Sequence, residues 1–350
     1  MPATLSSLLD LGRLGFDTII DVRSPSEYAE DHLPGAISLP VMSDEERARV
    51  GTIYKQISPF DARRIGAALV ARNAATHLEE ALADKPGGWR PLVYCWRGGQ
   101  RSGSFASILG QIGWRVERLE GGYKSWRRLV IEALYDTPFP CPVVLLDGNT
   151  GSAKTELLNL LPAHGVQVLD LEGLARHRGS LFGAMGPQPG QRAFEGQLAH
   201  LIADLDPERP VVIEAESSAI GACRLPPRLW RAMAAAPHLV IEAPRGERAG
   251  YLARAYADMT ADPVRLSATI DQLAPYQPAI RIAEWQAMAG AGAFKDLAEG
   301  LMEWHYDPRY ARHRARSDQK TTAIHAESLA PKALPALAAE VARQITERMQ

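Results

Sequence analysis

The sequence predicts two consecutive α/β domains, and three observations support this fold class. The chain has 350 residues, which is enough for two domains of ordinary size, each with its own core. In both halves, short buried strands alternate with helical segments, a pattern typical of parallel sheets covered by helices. A proline-rich segment, TPFPCP (137–142), is typical of a linker. We therefore predict one domain over 1–135 and a second over 136–350.

The N-terminal half contains two predicted buried strands, TIIDV (18–22) and PLVYC (91–95). Between them, residues 61–82 carry apolar side chains at helical spacing. A glycine-rich turn follows Cys95 and leads into a further predicted helix over 102–113. These segments predict a parallel sheet with its loops at the strand ends.

The C-terminal half starts with a predicted buried strand, PVVLLDG (142–148), which a short loop joins to the helix KTELLNLL. Further strands are predicted at VQVLDL (166–171), PVVIEAES (210–217) and HLVIEA (238–243). From about 247 to 350 the pattern is helical. The second domain is therefore predicted to be α/β with a helical C-terminal region.

The composition is that of a soluble globular protein, with 46% hydrophobic and 23% charged residues. The formal net charge of -2 argues against a globally basic nucleic-acid coat, so any nucleic acid is expected at a local basic patch. Three cysteines, far apart in sequence, fit neither a disulfide framework nor a zinc site and favour a reducing compartment. The first residues do not resemble a secretory signal, and no apolar run approaches the length of a membrane span. We expect a cytoplasmic protein without membrane contact.

Cys95 lies in the string YCWRGGQRSGS, at the end of a strand and before a helix. The unpaired N–H groups and the dipole of a helix N-terminus favour an anion there. Arg97 and Arg101 add positive charge, and Gly98 and Gly99 let backbone amides turn inward. This positively charged, amide-rich environment predicts a reactive thiolate rather than an ordinary buried cysteine. The predicted anion cradle comprises Trp96, Arg97, Gly98, Gly99, Gln100, Arg101 and Ser102.

A second string, DVRSPSEYAEDHLPGAISLP (21–40), together with the cysteine string, resembles the rhodanese family over roughly residues 5–132. In that family, residues matching Asp21 and Arg23 usually have structural roles. Five residues separate Cys95 from Arg101, whereas simple sulfurtransferases of the family usually have four. The longer spacing is also that of dual-specificity phosphatases, so loop length leaves both chemistries open.

A phosphate-binding loop is predicted at GNTGSAKT (148–155), since it follows a buried strand and precedes a helix. Its predicted phosphate-binding residues are Gly148, Asn149, Thr150, Gly151, Ser152, Ala153, Lys154 and Thr155. Ala153 stands where the usual pattern has glycine, and we expect alanine to lose access to positive φ and alter the loop. A chance glycine turn with a lysine is the less favoured interpretation.

Four acidic residues at strand ends are predicted to support the phosphate loop: Glu214, Glu216, Asp170 and Glu172. A P-loop protein often places such an acid to hold a magnesium-bound water. Thr155 is the predicted magnesium contact. Solvated acids at a strand exit are nearly as consistent with the sequence.

Almost the whole chain resembles the tRNA 2-selenouridine synthase family, in which a rhodanese domain is fused to a P-loop domain. The strings that carry this resemblance are YCWRGGQRS, GTIYKQISPFDARRIGAALVARN (51–73), DLEGLARHRGSLFG (170–183), EAESSAIG (214–221) and HYDPRY (305–310). The departures are Ala153 and Asp31, which stands where relatives more often carry glycine and which we expect to be neutral.

The resemblance implies a transferase that acts on the wobble uridine in the anticodon region of tRNA. The family replaces the sulfur of 2-thiouridine with selenium from selenophosphate, and it attaches a geranyl group from geranyl diphosphate to that sulfur as an intermediate. By this resemblance, Cys95 serves selenium transfer, and its loop cradles the selenophosphate-derived anion. The loop ending at Lys154 and Thr155 holds the diphosphate. No tightly bound cofactor is predicted.

Two other functions remain open at this stage. A phosphatase would use Cys95 and Arg101, but it gives no reason for a fused P-loop. A small-molecule kinase with a non-catalytic rhodanese module would use Lys154, but it leaves the cysteine cradle without a role.

The string HYDPRYARHRAR (305–316) is the predicted tRNA-binding segment, because arginines can pair with phosphates and aromatic rings can stack on unpaired bases. Its predicted contacts are Arg309, Arg312, Arg314, Arg316, Tyr306 and Tyr310, with Arg176 and Arg178 as the next candidates. A solvated helix face whose arginines pair with the protein's own acids is the alternative.

Overall fold

A computed structural model describes residues 2–314 and 320–347, except the side chains of residues 313 and 314. The chain forms two compact units. The first comprises Met1–Pro138 with Pro189–Asp204, and the second comprises Phe139–Gln188 with Leu205–Gln350. The sequence prediction assigned residues 189–204 to the second domain, whereas here they pack with the first unit.

The first unit is built on a parallel sheet in the order β2-β1-β3-β4. Its strands are β1 (Thr18–Asp21), β2 (Ala36–Ser38), β3 (Pro91–Tyr94) and β4 (Glu117–Arg118). Ile19 pairs with Ala36 on one side and with Leu92 on the other. Cys95 directly follows β3, so the cysteine loop lies at the carboxyl edge of the sheet.

Helices cover this sheet, and the helix after the cysteine supplies part of its core. Phe105 and Leu109 of that helix pack with Ile20 and Val93 of the sheet, and all four side chains are buried. The helices are Asp10–Arg13, Pro25–Glu30, Asp44–Gln56, Pro59–Glu79, Gln100–Gln111, Tyr123–Ile131, which continues as a π-helix over Glu132–Asp136, and Gln191–Ala203.

The second unit is built on a parallel sheet in the order β11-β10-β5-β7-β6. Its strands are β5 (Val143–Gly148), β6 (Gln167–Leu169), β7 (Val211–Glu214), β10 (His238–Glu242) and β11 (Thr321–His325), beside an antiparallel hairpin of β8 (Ala219–Ile220) and β9 (Cys223–Arg224). The strand β5 lies in the middle of the sheet, so the phosphate loop that follows it opens at the centre of the carboxyl edge, where ligands of open α/β sheets bind.

The prediction that the chain is helical from about 247 onward is wrong at β11. This strand, TTAIH, pairs in parallel with β10 at the sheet edge. Its five residues are mostly exposed, so they carry little of the apolar run that marks a buried strand. Edge strands are therefore hard to detect from periodicity.

The remaining helices of the second unit pack into two apolar clusters. The sheet cluster includes Leu157, Leu239 and Val341. A separate helical cluster surrounds Trp285 and Leu297. The helices are Lys154–Leu160, the 3-10 helix Leu161–His164, Leu171–Ala175, Pro227–Ala234, Arg245–Ala255, Ala257–Thr260, Pro263–Asp271, the 3-10 helix Ala274–Tyr276, Ala279–Gly290, Phe294–Leu301, the π-helix Met302–Tyr306, Asp307–Arg314 and Leu334–Glu347.

Candidate active sites

The Cys95 thiol lies at the bottom of a loop whose amides are free to bind an anion. Cys95 is buried, and its Sγ is 3.2 Å from Ser102 Oγ, at hydrogen-bond distance. Among the described residues, none accepts a hydrogen bond from the backbone N–H groups of residues 97–101. Such converging donors at the start of a helix favour a bound anion.

A glycine pair behind the loop, which the sequence reasoning missed, holds it in place. The backbone N–H of Tyr123 donates to Cys95 O at 2.9 Å, and that of Lys124 donates to Trp96 O at 3.0 Å. A Cβ at Gly122, whose φ is +58°, would lie 2.2 Å from Cys95 O. Only glycine allows this approach, and the string GGY was the available signal.

The predicted cradle residue Arg101 is paired with an acid that the sequence reasoning also missed. Its Nη1 donates to Glu27 Oε2 at 2.6 Å, and its Nη2 lies 3.3 Å from Glu27 Oε1. Arg47 contacts the same carboxylate at 3.0 Å. Burial by itself raises the pKa of Glu27, but the hydrogen bond and charge of Arg101 outweigh it and hold that pKa below its usual range. Glu27 therefore fixes the Arg101 guanidinium beside the loop.

The other predicted cradle side chains differ in how exposed they are and in what they contact. Arg97 and Gln100 are exposed, so their side chains are accessible to a ligand. The Trp96 ring lies 5.2 Å from the ring of Tyr123. Trp96 thus packs against the residue that supports the loop from behind.

Asp21, Arg23 and Asp31 form a buried network beside this loop. Arg23 makes a bidentate contact with Asp21 and donates from Nη2 to Asp31 O at 2.6 Å. Its guanidinium lies 4.1 Å from the centre of the Tyr123 ring. These contacts agree with structural roles for Asp21 and Arg23.

Asp31, expected to be a neutral departure, makes a specific contact, and whether its net effect is neutral stays a prediction. Its side chain is buried and accepts a 2.7 Å hydrogen bond from the Tyr123 hydroxyl. Burial raises the pKa of the Asp31 carboxyl. A glycine here could not make this hydrogen bond, so Asp31 helps to position the helix that supports the cysteine loop.

The second site is the loop Gly148–Thr155. Lys154 Nζ donates to Gly148 O at 2.8 Å, so the lysine folds back over its own loop. Burial by itself lowers the pKa of Lys154, but Tyr310 and the nearby acids outweigh it and raise that pKa above its ordinary value. Among the described residues, none accepts a hydrogen bond from the backbone N–H of Gly151, Ala153, Lys154 or Thr155. One loop thus carries a positive charge and backbone N–H groups that have no acceptor among the described residues, a combination that suits phosphate binding.

The expectation that Ala153 alters the loop is wrong. Ala153 has φ +59° and ψ +25°, in the left-handed region that a glycine would adopt. This region is small but allowed for L-residues, at a cost of roughly 1–2 kcal/mol. The methyl group is buried in the sheet cluster with Leu157, which offsets part of that cost.

A buried ion pair holds the phosphate loop from the side. Arg248 donates from Nη1 to Thr150 O at 3.1 Å and pairs with Asp307 through both Nη atoms, at 2.9 and 2.8 Å. Asp307 also accepts a 3.0 Å hydrogen bond from Asn149 Nδ2. Asp307 belongs to HYDPRY, so part of the predicted tRNA-binding string supports the phosphate loop instead.

Three of the four predicted acids lie around Thr155, and they are not solvated. Thr155 Oγ1 donates to Glu172 Oε2 at 2.8 Å. Burial and the neighbouring Glu172 raise the pKa of Glu216 to about 8, despite the opposing charge of Lys154. Burial and nearby Asp170 raise the pKa of Glu214 well above its ordinary value. The surroundings of both carboxyl groups therefore favour the protonated form more than solvent does.

Asp170 has a different role, because it accepts from Gly173 N at 2.7 Å and caps a helix. Within residues 2–314 and 320–347, no group of three or more His, Cys, Asp and Glu side chains is arranged to hold a metal ion. Magnesium at Thr155 stays a prediction.

An apolar pocket that the sequence did not reveal adjoins the phosphate loop. It encloses about 550 Å³, part of it open to solvent, and Thr150 of the loop forms one of its walls. The other lining residues are Ser180, Phe182, Leu252, Ala253, Tyr256, Met259, Thr260, Leu266, Phe294, Leu297, Ala298, Leu301, Met302 and Tyr306. The helix that carries Leu252 packs directly on Gly151, where a Cβ would lie 2.9 Å from Leu252 Cγ.

The predicted RNA contacts have varied surroundings. Tyr306 lines the apolar pocket, and burial raises its pKa. Arg178 pairs with Asp258 at 3.0 Å. The other described candidates lie nearer the surface: Arg176 and Arg312 are exposed, Arg309 lies over the Tyr276 ring at 5.1 Å, and Tyr310 is half-buried. Arg316 and the Arg314 side chain lie outside the described residues. RNA binding by this segment stays a prediction.

Comparisons with known proteins match both halves of the chain to domain families. The family described as tRNA 2-selenouridine synthase AAA domain matches residues 141–277, and the rhodanese-like domain family matches residues 1–129. A tRNA 2-selenouridine synthase of Aeromonas salmonicida is 40% identical over 253 residues, or 71% of this chain and 67% of that protein. One of Bordetella petrii is 35% identical and covers 86% of this chain and 88% of that protein.

The chain belongs to the tRNA 2-selenouridine synthase family. It is therefore an enzyme with a rhodanese-like and a P-loop domain, as the sequence predicted. Among solved structures, an N-terminal domain of a putative ATP/GTP binding protein from Clostridium difficile 630 is 36% identical, covers 38% of this chain and all of that chain, and has a TM-score of 0.32. Over the described residues, no helix has the length and apolar character that crossing a membrane requires.

Proposed function

We propose that this enzyme replaces the sulfur of 2-thiouridine at the tRNA wobble position with selenium from selenophosphate, through an S-geranyl intermediate made from geranyl diphosphate. Membership of the tRNA 2-selenouridine synthase family supports the overall reaction. The observation that carries the geranyl step is the apolar pocket beside the phosphate loop.

The pocket and the loop together match a ligand with a diphosphate at one end and a hydrocarbon chain at the other. The free amides around Gly151 and the charge of Lys154 suit the diphosphate. Leu252, Phe294 and Leu297 suit the hydrocarbon chain. A nucleotide would instead require polar groups for its base, whereas most of this lining is apolar and its polar side chains are hydroxyl groups.

In geranyl transfer, the sulfur of 2-thiouridine attacks C1 of the geranyl group as the bond from C1 to the diphosphate oxygen breaks. Negative charge develops on the leaving diphosphate, and Lys154 and the loop amides are placed to stabilise it. The uridine N3 proton leaves at the same time, so the product is neutral. Magnesium at Thr155 would assist the same leaving group, and no tightly bound cofactor is required.

Selenium transfer would use the other unit. The free amides of residues 97–101 and the accessible Arg97 suit a selenophosphate-derived anion. Cys95 lies at the bottom of that loop, where its thiolate can attack phosphorus as the P–Se bond breaks. This step releases hydroselenide without a change in the oxidation state of selenium, and water then hydrolyses the S-phosphocysteine to phosphate. Selenium then adds to C2 of the geranylated base, and the sulfur departs with its geranyl group as a neutral thiol.

The test is to narrow the pocket and measure which donor is used. Ala253 lines the pocket and is half-buried, so Ala253→Phe should fill space that a ten-carbon geranyl chain needs. Losing contacts worth two buried CH₂ groups costs about 1.6 kcal/mol, so geranyl transfer should fall by roughly tenfold or more. Transfer from dimethylallyl diphosphate, with its five-carbon chain, should not fall.

The matched control is Ala257→Phe, because Ala257 is exposed and does not line the pocket. This variant should geranylate like the parent protein. If Ala253→Phe keeps the parent rate and the parent preference for chain length, the pocket does not hold the geranyl chain.

A further inference from the structure

A corner of the first unit exposes large apolar side chains without an assigned role. It joins the helices Asp44–Gln56 and Pro59–Glu79. Tyr54, Ile57 and Phe60 lie within seven consecutive residues there and are 53%, 73% and 67% exposed. Isolated exposed apolar residues are common, whereas exposed apolar residues that form a contiguous patch often mark a binding surface. We name Tyr54, Lys55, Ile57, Phe60 and Arg63 the corner surface.

The corner surface is basic although the chain as a whole is slightly acidic. From residue 47 to residue 64, the only acidic residue is Asp61. The basic residues in this stretch are Arg47, Arg49, Lys55, Arg63 and Arg64. Positive charge interleaved with exposed aromatic rings is the combination by which proteins hold single-stranded nucleic acid, since rings stack on bases and cations pair with phosphates.

A chain of ion pairs connects this helix to the cysteine loop. Arg47 contacts Glu27, and Glu27 pairs with Arg101 of the loop. Tyr54 follows Arg47 by seven residues, so the two side chains leave the same face of the helix about 10 Å apart along its axis. The next helix, Pro59–Glu79, places Leu69 and Val70 in the same apolar core cluster as Cys95, so the corner surface belongs to the folded unit that carries the cysteine.

We infer that the corner surface binds the unpaired nucleotides of the tRNA anticodon loop and so presents the wobble base to the Cys95 loop. This inference rests on the proposed function, because selenium transfer at Cys95 needs an RNA surface on the same unit. Tyr54 and Phe60 stack on bases, while Lys55 and Arg63 contact phosphates. By this inference the string GTIYKQISPF serves RNA binding, a role that the chemistry at Cys95 does not require of it.

The experiment measures the affinity of the full-length protein for a synthetic anticodon stem-loop carrying 2-thiouridine. Tyr54→Ala with Phe60→Ala should weaken binding by at least about twentyfold and leave its salt dependence unchanged. Lys55→Ala with Arg63→Ala should instead flatten the slope of log affinity against log salt by about 1.4–1.8. Tyr54→Phe with Phe60→Tyr keeps both rings and should bind like the parent.

The matched control is Val264→Ala with Ile280→Ala, which removes two apolar side chains of similar exposure, 80% and 72%, from the second unit. It should leave RNA affinity unchanged. If the Tyr54→Ala, Phe60→Ala variant binds RNA like the parent, the inference that the corner surface binds RNA is overturned. A change of oligomeric state in that variant also overturns it, because the surface would then be an interface between copies of the chain. A parent protein that does not bind the stem-loop contradicts the proposed function as well.

Discussion

Removing the Asp307 carboxylate should destabilise the second unit strongly, because it leaves a buried guanidinium without its counterion. Arg248 is 7% exposed and Asp307 18% exposed, and they share two hydrogen bonds. Breaking a buried pair by deleting one partner typically costs about 3–5 kcal/mol. In a unit of about 200 residues, each kcal/mol shifts Tm by about 2–4 °C. Asp307→Ala should therefore lower Tm by roughly 6–20 °C.

The assay is thermal unfolding of three variants beside the parent. Arg245→Ala is the matched control, since Arg245 contacts the same carboxylate at 3.8 Å from a position that is 44% exposed. Exposed pairs contribute about 0–1 kcal/mol, so its Tm should fall by a few degrees at most. The double variant Arg248→Met, Asp307→Leu removes both charges and should recover most of the loss.

Two results would refute this reasoning. One is a Tm for Asp307→Ala that equals the Tm of Arg245→Ala. The other is a double variant that loses at least as much Tm as Asp307→Ala, since removing both charges should avoid the cost of an unpaired buried guanidinium. Either result would remove the role of Asp307 as a support of the phosphate loop.

Three further variants test the phosphate site. Lys154→Ala should lower geranyl transfer by at least about a hundredfold and spare selenation of tRNA supplied already geranylated; normal geranylation would contradict the assignment. The pKa of Glu216 is about 8 in the fold, against an ordinary 4.5. The contribution of the protonated carboxyl to the free energy of unfolding is therefore fully present below pH 4.5 and is lost as the pH rises through 8. The Tm advantage of the parent over Glu216→Gln should therefore shrink by several degrees from pH 5 to pH 8.5, and a constant difference would contradict a protonated Glu216. Ala153→Gly relieves about 1–2 kcal/mol of backbone strain. It also loses about 0.8 kcal/mol from burial of the methyl group and about 0.4–1 kcal/mol because glycine raises the conformational entropy of the unfolded chain. Its Tm should stay within about 4 °C of the parent, and a larger shift would refute this balance.

Much of the architecture could be predicted because its signals are local. The strands Pro91–Tyr94 and Val143–Gly148 are mostly apolar and buried, and the cysteine loop and the phosphate loop follow these two strands directly. The phosphate loop and the cysteine loop carry their own glycines and cations within eight residues. A single sequence window therefore contains enough information to find them.

The missing parts depend on contacts between residues that are far apart in the chain. Glu27 lies 74 positions before its partner Arg101, and Asn149 lies 158 positions before Asp307. The apolar pocket combines the phosphate loop with helices from about 245 to 306, whose lining residues read individually as ordinary core. Without the fold, no local pattern distinguishes these residues from others of the same type.

The central claim is that one chain carries two half-reactions at two separate loops, and Cys95→Ala tests it most directly. The variant is incubated with thiolated tRNA and geranyl diphosphate, then with selenophosphate, and the tRNA nucleosides are analysed by mass spectrometry. Geranylation needs an anion-binding loop and a positioned sulfur but no protein thiol, so the variant should accumulate S-geranyl-2-thiouridine and form no 2-selenouridine. The parent protein should convert the same intermediate to 2-selenouridine. Loss of both activities in a folded Cys95→Ala protein, or continued formation of 2-selenouridine, would contradict the account.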